Sequence, residues 1–402
     1  MRVIESSAFV AVPMAGMTLS QMGAEVIRFD RLEGGLDARR MPYSPSGSSL
    51  FWSGMNKGKK SIAVDMKNPE GKDLITNLIT APGKDAGLFL TNLKVKGWLD
   101  YETLSELRSD IIIVTLKGDR QGRPQVDYTV NPALGIPEIT GHEGSTEPVA
   151  NAIPAWDMIA GNMCVSSLLA AERYRLRHGV GQDVEIALKD VAAAAIGHLG
   201  MIADSTLNTD DRSKAGNALY GAYGKDFLCA DGNRVMIIGL TSRQWSGILK
   251  ATDTTEQFKN LENEKNINLK DEAIRWKWRH EITAILEPWF KTRAVEDFAR
   301  DFDNTGLTWS VFRSVKEALE FDPDLSEDNP LFKKIKQPEA GEFLVPRHPA
   351  NFSKVDNTEA KGAPALGEHT EEILGDILHL SDIEISNLFD KGVVASPTYN
   401  KN

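Results

Sequence analysis

The first 120 residues repeat a pattern in which a short apolar run precedes a segment with apolar positions at helical spacing. The predicted strands are RVIES, AEVIRFD, SIAVD, GLFLTN and IIIVTLKG. The predicted helices between them are PMAGMTLSQMG, NPEGKDLITNLIT and YETLSELRS. Pro13 suits the first turn of the first helix, and Asn68 followed by Pro69 suits the start of the second. This alternation predicts a doubly wound α/β domain, with ligand-binding loops at the edge where the strands end.

The rest of the chain predicts a second, smaller domain and a return to the first. We assign residues 1–203 to the large domain and the polar, glycine-containing residues 204–224 to a linker. Residues 225–330 are predicted to form an α+β domain that begins with a hairpin turning at Asp231 and Gly232. In that domain the apolar spacing from Asp271 to Phe290 is helical, which favours a core role for its tryptophans. Residues 331–402 are predicted to complete the large domain with two helices.

Charge and composition narrow the classes of function. The 402 residues carry a net charge of -11, which argues against a nucleic-acid surface. No apolar run reaches the roughly 20 residues of a membrane helix, and the first ten residues lack the order of a signal peptide. Cys164 and Cys229 are predicted core residues without metal-ligand spacing. We therefore expect a cytoplasmic protein that binds neither nucleic acid nor membrane.

Several chemistries lack their usual sequence signals. The chain has neither the glycine-rich dinucleotide motif nor a phosphate-binding P-loop, and it has no G-x-S-x-G elbow. Its seven histidines form no metal-ligand pair, so we expect no metal. A carboxylate remains as the candidate nucleophile, and Asp157 lies at the start of a predicted helix in IPAWDMIAG. Its position fits either a helix cap or a nucleophile kept ionised by nearby N–H donors.

Landmarks over nearly the whole chain carry a family resemblance. They are GAEVIRFD, NKGKKSIAVDMKNPEGK, LTN before a short helix, the Asp157 helix with RHGVGQDVEIALKD, and ALGEHTEEILGDIL. With them the chain resembles the CaiB/BaiF, or class III, CoA-transferases. The resemblance implies a large Rossmann-like CoA-binding domain with a smaller α+β domain, an interlocked homodimer, and Asp157 as the residue that carries CoA. It implies no tightly bound cofactor, because CoA is part of the acyl-CoA substrate.

The resemblance also implies which residues contact CoA. Those matched by position are Phe9, Val10, Ala11, Arg31, Val64, Lys67, Asn92, Leu93, Lys96, Lys117 and Asp127. The basic members follow predicted strand ends, where phosphates would sit, although Lys96 also fits a solvated surface lysine. Asp127 fits two roles, a bond to the CoA amide or orientation of the nucleophile's surroundings.

Two differences from other branches of the family, and a likeness to a third branch, narrow the candidate reactions. Val126 stands where the racemase branch has a histidine base, and IIGLTSRQW lacks the glycine-rich loop of oxalate-using members. SAFVAVPMAGMTLSQMGAEVIRFD, VDYTVNPALGIP and GNALYGAYGKDF resemble a branch that moves CoA between the C1 and C4 carboxyl groups of one bound mesaconate. Two alternatives stay open, an intermolecular CoA-transferase and a non-catalytic acyl-CoA-binding protein. Candidate residues for holding the dicarboxylate are Arg39, Arg40, His142, Asn217 and Tyr220.

Overall fold

The structure is a computed structural model that describes residues 1–93 and 97–397, and the chain divides into two compact units. Unit 1 comprises residues 1–134, 151–208 and 323–402, and unit 2 comprises residues 135–150 and 209–322. Compared with the predicted domains, the second unit additionally takes residues 135–150. The linker predicted over 204–224 is helical as far as Leu207 and becomes a strand from Tyr223.

Unit 1 contains nine strands and eleven helices within its described residues. With numbering in chain order along the whole protein, the strands are β1 (Arg2–Ser6), β2 (Glu25–Asp30), β3 (Lys60–Val64), β4 (Leu88–Thr91), β5 (Ile112–Lys117), β6 (Gln182–Ala187), β10 (Phe332–Gln337), β11 (Gly341–Pro346) and β12 (Val394–Ala395). The helices are α1 (Ala11–Gln21), α2 (Leu50–Met55), α3 (Pro69–Thr80), α4 (Tyr101–Leu107), α5 (Asp127–Ala133), α7 (Ala155–His178), α8 (Leu188–His198), α9 (Met201–Leu207), α16 (Thr370–Asp376), α17 (Asp382–Asp390) and a short 3-10 turn at Pro323–Leu325.

Seven strands of unit 1 form one sheet in the order β12-β3-β2-β1-β4-β5-β6. Strands β1 to β6 are parallel, and β12 adds an antiparallel edge strand to β3. The order 3-2-1-4-5-6 is that of doubly wound dinucleotide-binding folds, so the predicted α/β class is confirmed. Its direction reverses between β1 and β4. Ligands of such sheets bind beyond the carboxyl ends of the strands near that point.

The two faces of this sheet have different chemistry. Alternate strand residues such as Ile4, Phe29 and Ile113 join an apolar core formed with α3, α16 and α17. Because side chains alternate between faces, Glu5 and Arg28 belong to the opposite face. They are completely buried there. The mainly apolar sheet thus carries buried charges on one side.

Unit 2 is an α+β body, as predicted. Its antiparallel sheet has the order β7 (Tyr223–Leu228), β8 (Arg234–Gly239), β9 (Thr308–Val311). Its helices are α6 (Ile136–Ile139), α10 (Ser242–Ala251), α11 (Thr255–Lys265), α12 (Glu272–Lys277), α13 (Arg279–Lys291), α14 (Ala299–Thr305) and α15 (Val315–Phe321), with a 3-10 turn at Val295–Asp297. The β7–β8 hairpin turns at Asp231 and Gly232, which has a φ of 82°. The predicted helix from Asp271 to Phe290 is two helices separated at Trp278, and Trp278 packs against the core as expected.

Candidate active site

Asp157 is the third residue of α7, the 24-residue helix that begins at Ala155. The helix therefore starts two residues before the predicted position. Its N-cap position is Pro154, which provides no side-chain acceptor. The first-turn N–H groups of Trp156 and Asp157 instead donate to Oδ2 of Asp127, at 2.7 and 3.2 Å. Asp127, and not Asp157, is thus the carboxylate that caps this helix.

The surroundings of Asp157 raise its pKa. The expected role of the helix N–H donors is wrong: two of them donate to Asp127 and do not stabilise the ionised form of Asp157. Burial raises the pKa of the Asp157 carboxyl to about 6, and the neighbouring Asp127 charge adds to the effect. At pH 7 such a carboxylate is about nine-tenths ionised and more basic than an ordinary aspartate. This state suits a carboxylate nucleophile.

A glycine brings the start of α1 beside this part of α7. Gly161 follows Asp157 by four residues, so the two share one face of α7. A Cβ built on Gly161 would lie 2.7 Å from the carbonyl oxygen of Ala11. The predicted CoA loop, from Phe9 to Ala11, therefore lies one helical turn from the candidate nucleophile.

The loop between β1 and α1 has an unusual backbone that Asn92 braces. Phe9 has a φ of 66°, in the left-handed region that bulky residues rarely adopt. The side-chain amide of Asn92 binds both backbone groups of Ala8, accepting from its N–H at 2.9 Å and donating to its carbonyl at 2.8 Å. Because β1 and β4 are neighbours at the reversal point of the sheet, Asn92 fixes this loop where a ligand is expected.

A cleft lies at the carboxyl ends of β1 to β4, and three of the predicted CoA contacts line it. They are Arg31, Lys67 and Leu93. Its other lining residues include Ser6, Phe29, Glu33, Met66 and Trp98. Arg31 and Lys67 are exposed and available to an anion. The cleft thus combines apolar walls with basic groups at the predicted position.

Other predicted CoA contacts are placed differently. Val64 is completely buried in the sheet, and Asp127 is 1% exposed. Lys117 pairs with Glu185 on the neighbouring strand. Val10 and Ala11 are buried at the start of α1, while Lys96 lies outside the described residues. The CoA contacts stay predictions.

The candidate substrate residues are divided between the units. Arg39 and Arg40 belong to unit 1, whereas His142, Asn217 and Tyr220 belong to unit 2. The Arg40 guanidinium carbon lies 5.4 Å from the centre of the Phe9 ring, so Arg40 adjoins the predicted CoA loop. The Tyr220 ring lies 3.7 Å from the Arg212 guanidinium carbon. Their role in holding a dicarboxylate stays a prediction.

A buried charge network, which the sequence reasoning missed, supports the same edge of the sheet. Arg28 donates to Asp30 and Asp37 and to the backbone carbonyl of Ser7. Lys59 donates to Glu5 at 2.8 Å, and its pKa falls to about 8 because burial penalises the charged form. Asn56 accepts from both Arg28 and Lys59. The family landmark NKGKK, which begins at Asn56, thus contributes to the scaffold beneath the cleft.

One alternative chemistry, a thiolate nucleophile, is disfavoured by the structure. Burial raises the pKa of the Cys164 thiol to about 12, which disfavours a thiolate nucleophile. Within residues 1–93 and 97–397, no group of three or more histidine, cysteine, aspartate or glutamate side chains could hold a metal ion. No helix in those same ranges combines the length and apolarity that crossing a membrane requires.

Comparisons of sequence and of structure with known proteins all lead to the same family. The model for CoA-transferase family III matches residues 1–370. The chain is 50% identical over 398 residues to 2-methylfumaryl-CoA isomerase of Chloroflexus aurantiacus, covering 99% of this chain and 97% of that protein. It is 26% identical to human succinyl-CoA:glutarate CoA-transferase, covering 98% of this chain and 89% of that one. A crystal structure of a CaiB/BaiF family protein from Brucella suis has the same fold, with a TM-score of 0.76 at 23% identity and coverage of 94% and 98%.

Proposed function

The chain belongs to CoA-transferase family III and is an enzyme of that family, and from this premise we propose that it isomerises 2-methylfumaryl-CoA. The proposed reaction moves CoA between the C1 and C4 carboxyl groups of one mesaconate. The observation that carries the proposal is the 50% identity to 2-methylfumaryl-CoA isomerase over almost the full length of both chains. The exposed basic residues of the cleft and the basic carboxylate of Asp157 are consistent with it.

The proposed first half of the reaction transfers CoA to the enzyme. A carboxylate oxygen of Asp157 attacks the thioester carbon at C1, the carbon–sulfur bond breaks, and a mixed anhydride and CoA thiolate result. The thiolate then attacks the aspartyl carbonyl carbon of the anhydride. Mesaconate leaves as a dicarboxylate, and the enzyme holds CoA as an aspartyl thioester. Each step exchanges one acyl bond for another and needs no net proton.

The second half returns CoA to the other end of mesaconate. The C4 carboxylate attacks the aspartyl thioester, which expels the thiolate and forms a second anhydride. Attack of the thiolate on C4 then releases Asp157 as a carboxylate. Mesaconate must turn without escaping, so water and bulk solvent have to be excluded. The segment where oxalate-using members have a glycine-rich loop is a two-residue connection here, fixed by reciprocal hydrogen bonds between Thr241 and Gln244.

An isotope experiment tests this proposal. We would incubate the enzyme with unlabelled mesaconyl-C1-CoA in two conditions, without any added acid and with ¹³C-labelled free mesaconate, and analyse the C4 thioester by mass spectrometry. Unlabelled product in both conditions is the expected result. Dependence on a free acid, or label in the product in proportion to its concentration, would instead support intermolecular transfer. No conversion in either condition would support a protein that only binds acyl-CoA.

The covalent intermediate has its own test. Hydroxylamine added during turnover should convert the aspartyl thioester or anhydride to a hydroxamate on Asp157, detectable in the peptide that contains it. The control is Asp190→Asn, because Asp190 is likewise the third residue of its helix. Trapping should persist in that variant and disappear in Asp157→Asn. Modification at another carboxylate would reject Asp157 as the carrier.

We also propose a homodimer in the cytoplasm. Apolar side chains exposed on α7 to α9 support the dimer; they include Met163, Leu176, Leu199 and Leu207. Two buried free cysteines suit a reducing compartment. Sedimentation equilibrium should give a dimer, and Leu176→Asp with Leu199→Asp should shift it toward monomer. A monomeric wild-type protein at micromolar concentration would contradict the dimer.

A further inference from the structure

Helix α5 contacts the first turn of α7 through two side chains one helical turn apart. Oδ2 of Asp127 accepts the N–H groups of Trp156 and Asp157, at 2.7 and 3.2 Å. Oδ1 of Asn131 accepts the indole N–H of Trp156 at 3.0 Å. Asp127 and Asn131 are each 1% exposed, and Trp156 is 7% exposed. These buried contacts fix the turn that carries Asp157.

The same contacts determine which hydrogen-bond donors are left for the Asp157 carboxylate. Within residues 1–93 and 97–397, its oxygens accept no hydrogen bond, while Asp127 accepts two from helix N–H groups. A hydrogen bond from such a donor would stabilise the ionised form of Asp157 and lower its basicity. The pairing with Asp127 therefore keeps the Asp157 lone pairs accessible for attack.

This arrangement leaves one buried oxygen unsatisfied. Oδ1 of Asp127 is buried and has no hydrogen-bond partner among the described residues. Buried polar atoms usually have hydrogen-bond partners. A helix cap with only a structural role would not need a buried carboxylate with one unpartnered oxygen. A neutral cap such as Asn or Ser would supply an acceptor without a second buried charge beside Asp157. The negative charge itself calls for a functional explanation.

We propose that Asp127 and Asn131 are positioning residues that hold Asp157 in place and keep its carboxylate free of helix N–H donors. The inference rests on the proposed function, in which Asp157 is the nucleophile. Asp127 acts through backbone hydrogen bonds and through its charge, and Asn131 acts through the Trp156 ring. Neither residue is required to touch the substrate.

The test compares Asp127→Asn and Asn131→Ala with wild type in steady-state kinetics as a function of pH. Misplacement of a reacting group by about 1 Å can reduce a rate about 100-fold, so we expect kcat to fall about 10- to 100-fold in Asn131→Ala, which loses the contact with Trp156. In Asp127→Asn the amide keeps an acceptor for the helix N–H groups but loses the charge, so kcat should fall because Asp157 becomes less basic. The KM for acyl-CoA should stay within about twofold, because the cleft residues are unchanged and because Asp127, at 1% exposed, acts here on Asp157 and not on CoA; a larger rise in KM would instead support its other expected role, a bond to the CoA amide. The acid limb of kcat/KM, which reports the free enzyme, should also move to lower pH in Asp127→Asn. The CoA phosphate ionises identically with both enzymes, so the difference between them reports the protein.

A matched control separates positioning from a general loss of helix capping. Asp271 accepts the N–H groups of Ala273 and Ile274 at the start of α12. Asp271→Asn makes the same chemical change at the cap of another helix and should leave kcat and the acid limb unchanged. An unshifted acid limb together with wild-type kcat in Asp127→Asn would overturn the inference.

Two further results keep the inference distinct from the proposed function. If wild-type enzyme yields no hydroxamate on Asp157, the proposed function is rejected, whatever the Asp127 and Asn131 variants show. If wild type is trapped normally, the positioning role stands or falls on the variants alone. Should Asp127→Asn fail to fold, Asn131→Ala decides: a lower kcat at constant KM supports the role, and wild-type kcat rejects it.

Discussion

Gly161 of α7 and Ala11 of α1 approach so closely that no side chain fits between them. A Cβ on Gly161 would lie 2.7 Å from the Ala11 carbonyl oxygen and 2.9 Å from the terminal methyl carbon of Met14. The Met14 side chain can move, but the backbone oxygen cannot move without displacing α1. This contact therefore sets the spacing between the predicted CoA loop and the helix that carries Asp157.

We predict that Gly161→Ala destabilises the protein and reduces its activity. Overpacking typically costs about 1 to 3 kcal/mol, and the helix propensity of alanine offsets less than that. Displacement of α1 relative to α7 should lower kcat/KM by about tenfold or more, since both helices carry parts of the proposed site. Chemical denaturation and isomerase kinetics measure the two effects.

Gly197 in α8 provides the control for this substitution. Its Cβ would meet Ile202 at an ordinary van der Waals distance of 3.5 Å. Gly197→Ala should therefore raise stability by about 0.5 to 1 kcal/mol through helix propensity and leave activity unchanged. Equal effects of the two alanines would contradict a special role for the Gly161 contact.

Asp157→Asn is predicted to abolish turnover while stabilising the fold. A raised carboxyl pKa means that folding favours the neutral form, so ionisation of Asp157 destabilises the native state. The penalty is complete above the folded pKa of about 6 and disappears below the unfolded value near 4. At pH 8 the amide should therefore increase the unfolding free energy by about 1 to 3 kcal/mol, a gain that shrinks as pH falls from 6 to 4.

Urea denaturation of wild type and Asp157→Asn at pH 8, 6 and 4.5 measures this difference. CoA affinity, measured by calorimetry, should remain within about threefold of wild type, because the amide is isosteric and the cleft is intact. Near-normal turnover in Asp157→Asn would refute the nucleophile assignment. A stability difference that does not vary with pH would refute the raised pKa.

The sequence predicted the large domain well because its signals are local. Asn68 and Pro69 mark the start of α3, and the Asn68 side chain accepts the N–H of Glu70 as expected. The sequence could not predict β12, because this strand is two residues long and pairs with β3 about 330 residues away. The break at Trp278 was missed because the helical apolar spacing continues through it.

The candidate site was only partly predictable for a related reason. The position of Asp157 near a helix start is a local property, and it was predicted. Which carboxylate accepts the N–H groups of that helix depends on Asp127, which lies 30 positions earlier on a separate helix. Sequence spacing did not indicate that these N–H groups would donate to Asp127 and not to Asp157. Similarly, Asn92 was predicted as a CoA contact, but its amide is engaged with Ala8.

Asn92→Asp is expected to weaken CoA binding by loosening the loop that Asn92 braces. The aspartate can still accept the Ala8 N–H, but it cannot donate to the Ala8 carbonyl, and two oxygens would face each other. Because Phe9 holds a strained backbone conformation next to this brace, we expect the loop to relax. Loss of about 1.4 kcal/mol would raise the Kd for CoA about tenfold. Calorimetric titration with CoA measures the Kd of each variant. Asn77→Asp, on the exposed face of α3, is the control and should leave the Kd unchanged. An unchanged Kd in Asn92→Asp would show that Asn92 does not hold the loop in place.

Lys59→Met should destabilise the fold far more than Lys60→Met. Lys59 and Glu5 are a fully buried pair, and Oε2 of Glu5 already has no partner among the described residues. Removing the Lys59 charge leaves a buried carboxylate uncompensated, at a cost of about 3 to 5 kcal/mol. Lys60, next along the chain, pairs with Glu25 and Glu372 where all three side chains are about a third or more exposed, so its loss should cost less than about 1 kcal/mol.

Adding Glu5→Gln to Lys59→Met should recover part of the lost stability, because it removes the unpaired charge. Equilibrium denaturation of the three variants checks this order, and a double variant less stable than Lys59→Met alone would show that the buried carboxylate is not the source of the loss.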